Sequence, residues 1–190
     1  GVDIVIAQGG EAGGHTGDVA TMVLVPEIVK ALGGRAPVLA AGGIGDGTQV
    51  ASVIGMGAQG AWMGSRWLTA AEYAEDGGSQ AMQQALVAAT SRDTVRTRIY
   101  SGKPARLLKS KWTEAWAAAD APDPLPMPLQ NILVAEAHQR ISEAQDPEVV
   151  AMPAGQIIGS LEGVVPVAET MAQIVSEYEA AVERLRATLA

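Results

Sequence analysis

Apolar residues in this chain come in short unbroken runs closed by glycine, and between the runs they recur at helical spacing. Val2 to Ala7, Pro37 to Ala41 and Ala58 to Met63 show no alternation with polar residues, as expected for strands buried on both faces of a parallel sheet. After the first run, Asp18 to Val25 reads as an irregular connection. A short helix is predicted from Pro26, a favoured first helical position, to Leu32, stopped by Gly33-Gly34. Between the second and third runs, Val50, Val53, Ile54 and Gly57 share one helical face, opened by Asp46 and Gln49 at capping-box spacing. Strand, helix, strand, helix, strand predicts a parallel sheet.

The glycines sit where the strands end. Gly42, Gly43, Gly45 and Gly47 follow the second run and Gly64-Ser65 the third, so two glycine-bearing loops leave one edge of the sheet. Backbone N–H groups and a hydroxyl there can cradle an anion. In (β/α)8 barrels the phosphate site is commonly built from the loops after the last two strands, and the expected fold is the C-terminal part of such a barrel. The first loop, Gln8 to Gly17, has five glycines in ten positions around Glu11 and His15. Such a backbone can wrap closely round a ligand. His15 is the candidate for proton transfer or substrate orientation, since imidazole changes charge near neutral pH; the plainer alternative is a solvated loop.

Beyond Leu68 the pattern is mostly helical. Met82, Ala85, Leu86 and Ala89 give a packing face after Gly77-Gly78, and Leu129 to Ala144 has helical spacing with His138 on what reads as a solvated polar face. Arg92 to Lys111 holds seven of the thirteen Lys and Arg residues. It reads as solvated surface or as an attractor for an anionic ligand, with Arg98 and Arg106 the residues to test. Trp112 and Trp116 read as packing anchors. Pro122, Pro124, Pro126 and Pro128 make residues 121–128 a stiff extended connector. Finally Val167, Met171, Ile174, Tyr178, Val182, Leu185 and Leu189 form one apolar helical stripe. It needs a partner, either its own barrel or a second copy in a homodimer.

Composition narrows the function. The chain has 190 residues, 48% hydrophobic and 18% charged, ordinary for a globular protein. A net charge of −8 argues against nucleic acid as a partner. The absence of cysteine excludes disulfides, thiolate catalysis and zinc-thiolate sites. No apolar run reaches the roughly 18 residues of a membrane span and no signal-peptide pattern opens the chain, so a cytoplasmic protein without membrane contact is expected. Gly1 is no initiator methionine, and three core strands fall short of the eight in a barrel of about 250 residues. A fragment is expected.

The residues QGGEAGGHTG, VPEIVKAL, PVLAAGGIGDG and GAWMGSRWL together resemble the C-terminal half of the nitronate monooxygenase family, formerly 2-nitropropane dioxygenases, whose signatures are shared by flavin-dependent enoyl-acyl-carrier-protein reductases. The resemblance implies an FMN-binding α/β barrel with about three parallel strands in residues 1–90. It also implies a substrate-side extension in 91–160 and a C-terminal packing helix in 161–190. It implies Gln8, Gly13, Gly42, Gly43, Trp62, Met63, Gly64 and Ser65 as cofactor-binding residues, His15 beside the reactive face of the flavin, and no metal. Trp62 stands where the family usually has Gln, and Ser65 where Thr is common. MPAGQIIG, residues 152–159, resembles a late family loop that closes over the flavin; Gln156 points into that site or caps the next element. The implied reaction is FMN-dependent oxidation of an alkyl nitronate by O2. Alternatives are an NAD(P)H-dependent enoyl or quinone reductase on the same scaffold, and an inactive half barrel or phosphate-binding module.

Overall fold

The computed structural model describes residues 1–189. Its first half contains β1 (Val5–Gln8), β2 (Gly14–His15), α1 (Thr21–Leu32), β3 (Val38–Ala41), α2 (Gly47–Gly55) and β4 (Gly60–Trp62). After these come α3 (Ala71–Glu75), α4 (Gln80–Ala88), β5 (Thr94–Thr97), β6 (Ala105–Leu108), α5 (Lys111–Ala117), α6 (Leu129–Ala144) and α7 (Val167–Ala187).

β1, β3 and β4 form a parallel sheet in that order. Gln8 pairs with Ala41, and Ala41 with Trp62, so the three strands end level and their loops leave from one edge. α1 and α2 cross over between them, and Ala7, Val25, Val38, Ala40, Val53 and Ala58 make the core beneath. β3 is the well-buried strand. Trp62 at the end of β4 is 56% exposed and Ile6 in β1 is 43% exposed. The expectation that every strand is buried on both faces therefore fails for the two edge strands, because the helices cover the face of Ala7 and the described residues leave Ile6 uncovered.

Two helices differ from their predicted forms. α1 begins at Thr21 instead of Pro26, and Pro26 lies inside it. Its start is held by a distant group: the Glu11 carboxylate accepts the Thr21 N–H at 2.9 Å and the Thr21 hydroxyl at 2.9 Å, which suits the positive end of a helix. Pro26 then costs one internal bond, to the carbonyl of Met22. α7 buries Thr170, Ile174 and Ala181, while Val167, Met171, Leu185 and Leu189 of the expected stripe are exposed. The packed face is rotated because α7 lies with its backbone against α2. A Cβ on Gly47 would fall 2.0 Å from the Ile174 carbonyl oxygen and 2.4 Å from the Tyr178 nitrogen.

The basic segment forms structure that a charge count does not suggest. β5 and β6 pair antiparallel, and β2 adds to β6. Leu108 joins Met82, Leu86, Val150, Ala154, Ile158 and Leu161 in a second core. His138 is not simply solvated: it stacks on Tyr100 at a centroid distance of 5.1 Å and meets the edge of Trp112 at 5.6 Å.

Candidate functional site

The level strand ends define a cavity of about 260 Å³. Gln8, Ala12 and Gly13 of the first loop line it, with Gly42, Gly43 and Ile44 of the second and Trp62, Gly64, Ser65 and Leu68 after β4. Pro153, Gly155 and Ile157 close it from a late segment. The sequence brings these together by simple steps. Gly42 and Gly43 have φ of 95° and 69°, a left-handed backbone that other residues adopt only under strain. The capping box then starts α2: Asp46 Oδ1 accepts the Gln49 N–H at 2.8 Å and Gln49 Oε1 accepts the Asp46 N–H at 3.2 Å, with the Gly45 N–H also donating to Gln49 Oε1 at 2.7 Å.

Donors at this site are free. Among the described residues, the N–H groups of Gly43, Ile44 and Gly64 have no hydrogen-bond partner. Ser65 Oγ accepts the Gly155 N–H at 2.8 Å, which leaves the serine proton to donate. Three peptide donors and a hydroxyl on two facing loops form an anion-binding arrangement.

The late segment is fitted against the first loop by two more glycines. A Cβ on Gly13 would fall 2.7 Å from the Gly155 nitrogen, and one on Gly155 would fall 2.9 Å from the Glu11 carbonyl oxygen. The Gln156 N–H donates to that same carbonyl at 2.9 Å. Gln156 opens a short 3-10 helix, residues 156–160, and lines two depressions beside Glu11, the larger of about 460 Å³ and sharing Gly42, Gly43 and Ile44 with the first cavity. It does not line the 260 Å³ cavity itself.

Of the residues named from sequence, Gln8, Gly13, Gly42, Gly43, Trp62, Gly64 and Ser65 line this cavity. Met63 does not; it packs on the core below. His15 stands beside the lining without entering it. The Gln8 amide donates to the His15 carbonyl oxygen at 2.6 Å, and His15 Nε2 lies 2.5 Å from Ser101 Oγ. Ser101 is buried, and it reaches His15 because β2 pairs with β6. Arg98 Nε is spent on the Gly102 carbonyl at 3.0 Å.

Arg106 is a clamp. Its guanidinium donates twice to the Gly10 carbonyl, at 3.1 and 2.8 Å, and to Thr94 Oγ1 at 3.1 Å. Burial pushes its pKa below the usual value, the neighbouring Arg96 lowers it further, and Glu11 opposes them. Arg96 pairs with Asp18 and donates to the Thr16 carbonyl at 3.1 Å. The two arginines thus hold both ends of the glycine loop. Arg106 stands out in the sequence only as part of a charge run, and nothing beside it, or beside Glu11, Ser101 and Gly155, signals the partner each one meets in the fold.

Comparison with known proteins bears on the same region. A family model described as nitronate monooxygenase matches residues 1–177. A Mycobacterium tuberculosis protein named "Putative monooxygenase Rv1533" is 48% identical over 184 residues, covering 94% of this chain and 48% of that protein. Nitroalkane oxidase from Streptomyces ansochromogenes superposes with a TM-score of 0.84 at 29% identity, over 97% of this chain and 54% of the other. FabK from Thermotoga maritima superposes with a TM-score of 0.80 at 31% identity, over 99% and 58%. The chain therefore spans about half the length of the relatives it matches.

Proposed function

Because this chain belongs to the nitronate monooxygenase family, we propose that the protein binds FMN at the C-terminal edge of its parallel strands and oxidises alkyl nitronates with O2. The observation that carries the reading is that Gly43, Ile44, Gly64 and Ser65, whose N–H groups and hydroxyl proton have no acceptor among the described residues, all line one cavity. FMN suits this donor set, because its phosphate needs several hydrogen-bond donors and no metal. When bound, FMN supplies the electron-accepting centre that couples nitronate oxidation to O2, giving a carbonyl compound and nitrogen oxides.

The chain's own residues divide the remaining work. Gly43, Ile44, Gly64 and Ser65 hold the phosphate, and the apolar side chains of Ile44, Leu68 and Ile157 exclude water from the cavity. Gln8 fixes the backbone of His15 and keeps its carbonyl oxygen available to a ligand. Ser101 orients the ring through Nε2, so that Nδ1, which has no partner among the described residues, is the nitrogen that meets the nitronate. A proton held at Nδ1 would hydrogen-bond a nitronate oxygen and offset its charge.

The likeness to FabK favours a second reading of the same cavity, an NAD(P)H-dependent flavin reductase. Oxygen consumption separates the two. The protein in its longest expressed form, loaded with FMN, should consume O2 on addition of a primary alkyl nitronate without NAD(P)H. Consumption that requires NADH and ignores nitronate would support the reductase. Failure to retain any flavin would leave a phosphate-binding module.

A further inference from the structure

The loop that carries Ser65 continues into a buried cation. Arg66 is 9% exposed, its Nε has no hydrogen-bond partner, and no acidic residue forms an ion pair with it among the described residues. A guanidinium withdrawn from water without a counter-charge is unfavourable. Its one side-chain bond among the described residues leads to the C-terminal helix: Arg66 Nη2 donates to Gln173 Oε1 at 3.3 Å. Gln173 Nε2 in turn donates to Glu177 Oε1 at 2.8 Å. Glu177 Oε2 accepts the Gly47 N–H at 2.9 Å, at the start of α2. One relay on α7 therefore joins the residue after Ser65 to the first residue of the helix that follows Gly42 and Gly43. The bare Gly47 lets α7 lie close enough for this.

We propose that Arg66, Gln173 and Glu177 make phosphate binding and the docking of α7 mutually dependent, with Arg66 the buried counter-charge for the phosphate. The proposal rests on the FMN reading above and deepens it. A phosphate on the Gly64–Ser65 loop supplies the negative charge that Arg66 lacks. It also fixes the two loops whose spacing the relay spans, so an empty cradle leaves α7 less firmly held. Coupling of this kind acts in both directions: what loosens α7 weakens phosphate binding, and phosphate binding tightens α7. Neither Arg66 nor Gln173 lines the cavity: Arg66 acts on the phosphate through its charge alone, and Gln173 is a positioning residue that acts through Arg66.

Riboflavin, which lacks the phosphate, isolates the effect. Dissociation constants for FMN and for riboflavin are measured by flavin fluorescence in the unaltered protein, Arg66→Gln, Arg66→Lys and Gln173→Ala. Arg66→Gln should weaken FMN at least tenfold with riboflavin unchanged, and Arg66→Lys should recover most of the loss. Gln173 is exposed on α7, so Gln173→Ala keeps the test open if Arg66→Gln does not fold. It should weaken FMN several-fold and leave riboflavin unchanged. Hydrogen exchange in α7 should slow on adding FMN and respond little to riboflavin. Equal losses for both flavins, or α7 exchange indifferent to FMN, would overturn the proposal while leaving the FMN site intact. An unaltered protein that binds neither flavin would overturn the FMN reading itself, and this proposal with it.

Discussion

Ser65 accepts the Gly155 N–H on its hydroxyl oxygen at 2.8 Å, and in the proposed FMN complex its own proton would go to the phosphate. Hydrogen bonds to charged groups contribute about 1.5–3 kcal/mol, so Ser65→Ala should weaken FMN binding by roughly ten- to a hundredfold. Ser65→Thr keeps the hydroxyl and should bind nearly as the unaltered protein does, by the same fluorescence titration. At this scale the sequence was legible where one residue's own geometry tells the story. Gly42 and Gly43 follow a strand and take positive φ, and Gly64-Ser65 ends another. Residues whose meaning lies in a partner were not legible. Glu11 looked like one polar residue in a glycine loop, yet its carboxylate starts α1. Arg106 looked like part of a charge run, yet it holds the Gly10 carbonyl. His138, read as solvated, sits between Tyr100 and Trp112.

Elements were legible where their signals are local. The capping box of α2 spans four residues and is visible in the sequence, whereas the group that holds the start of α1 comes from ten residues upstream. The packed face of α7 depended on Gly47, 127 positions before Ile174, and no apolar periodicity within α7 reports it. Gly47→Ala should therefore be costly although alanine is the better helix former. Its methyl would meet backbone atoms at 2.0 and 2.4 Å, and overpacking of this kind costs about 1–3 kcal/mol. Gly55→Ala in the same helix has nothing within 4 Å of the new methyl and should be neutral or mildly stabilising. Urea unfolding midpoints of the two variants make the comparison, and equal midpoints would mean that α7 does not rest on α2 as described.

The half-buried His138 links the stability of the whole molecule to pH on the acid side of neutrality. Desolvation lowers its pKa below 6.5, so the unfolded ring takes up a proton at a higher pH than the folded one. The unfolded state then binds more protons in that window, and stability is lost as pH falls below about 6.5. His138→Phe, which keeps a ring against Tyr100 and Trp112, should flatten this part of the stability curve, read from chemical unfolding between about pH 5.5 and 7.5. An unchanged slope would place the titration elsewhere.

At this scale too, the parallel strands, their crossover helices and their level C-terminal ends were legible from apolar runs and glycines. The sheet of β2, β6 and β5 was not, because its strands are short and two of them lie in the basic segment. The chain matches about half of its relatives' length, and its cavity of about 260 Å³ lies just below the usual range of about 300–1,000 Å³ for ligand pockets. The decisive measurement is anaerobic rapid mixing of the FMN-loaded protein, in its longest expressed form, with an alkyl nitronate. The flavin absorbance near its visible maximum should bleach with nitronate alone. At equal flavin occupancy, His15→Ala should slow the bleaching by about a hundredfold or more. A flavin that stays oxidised with nitronate and is reduced by NADH would contradict the account.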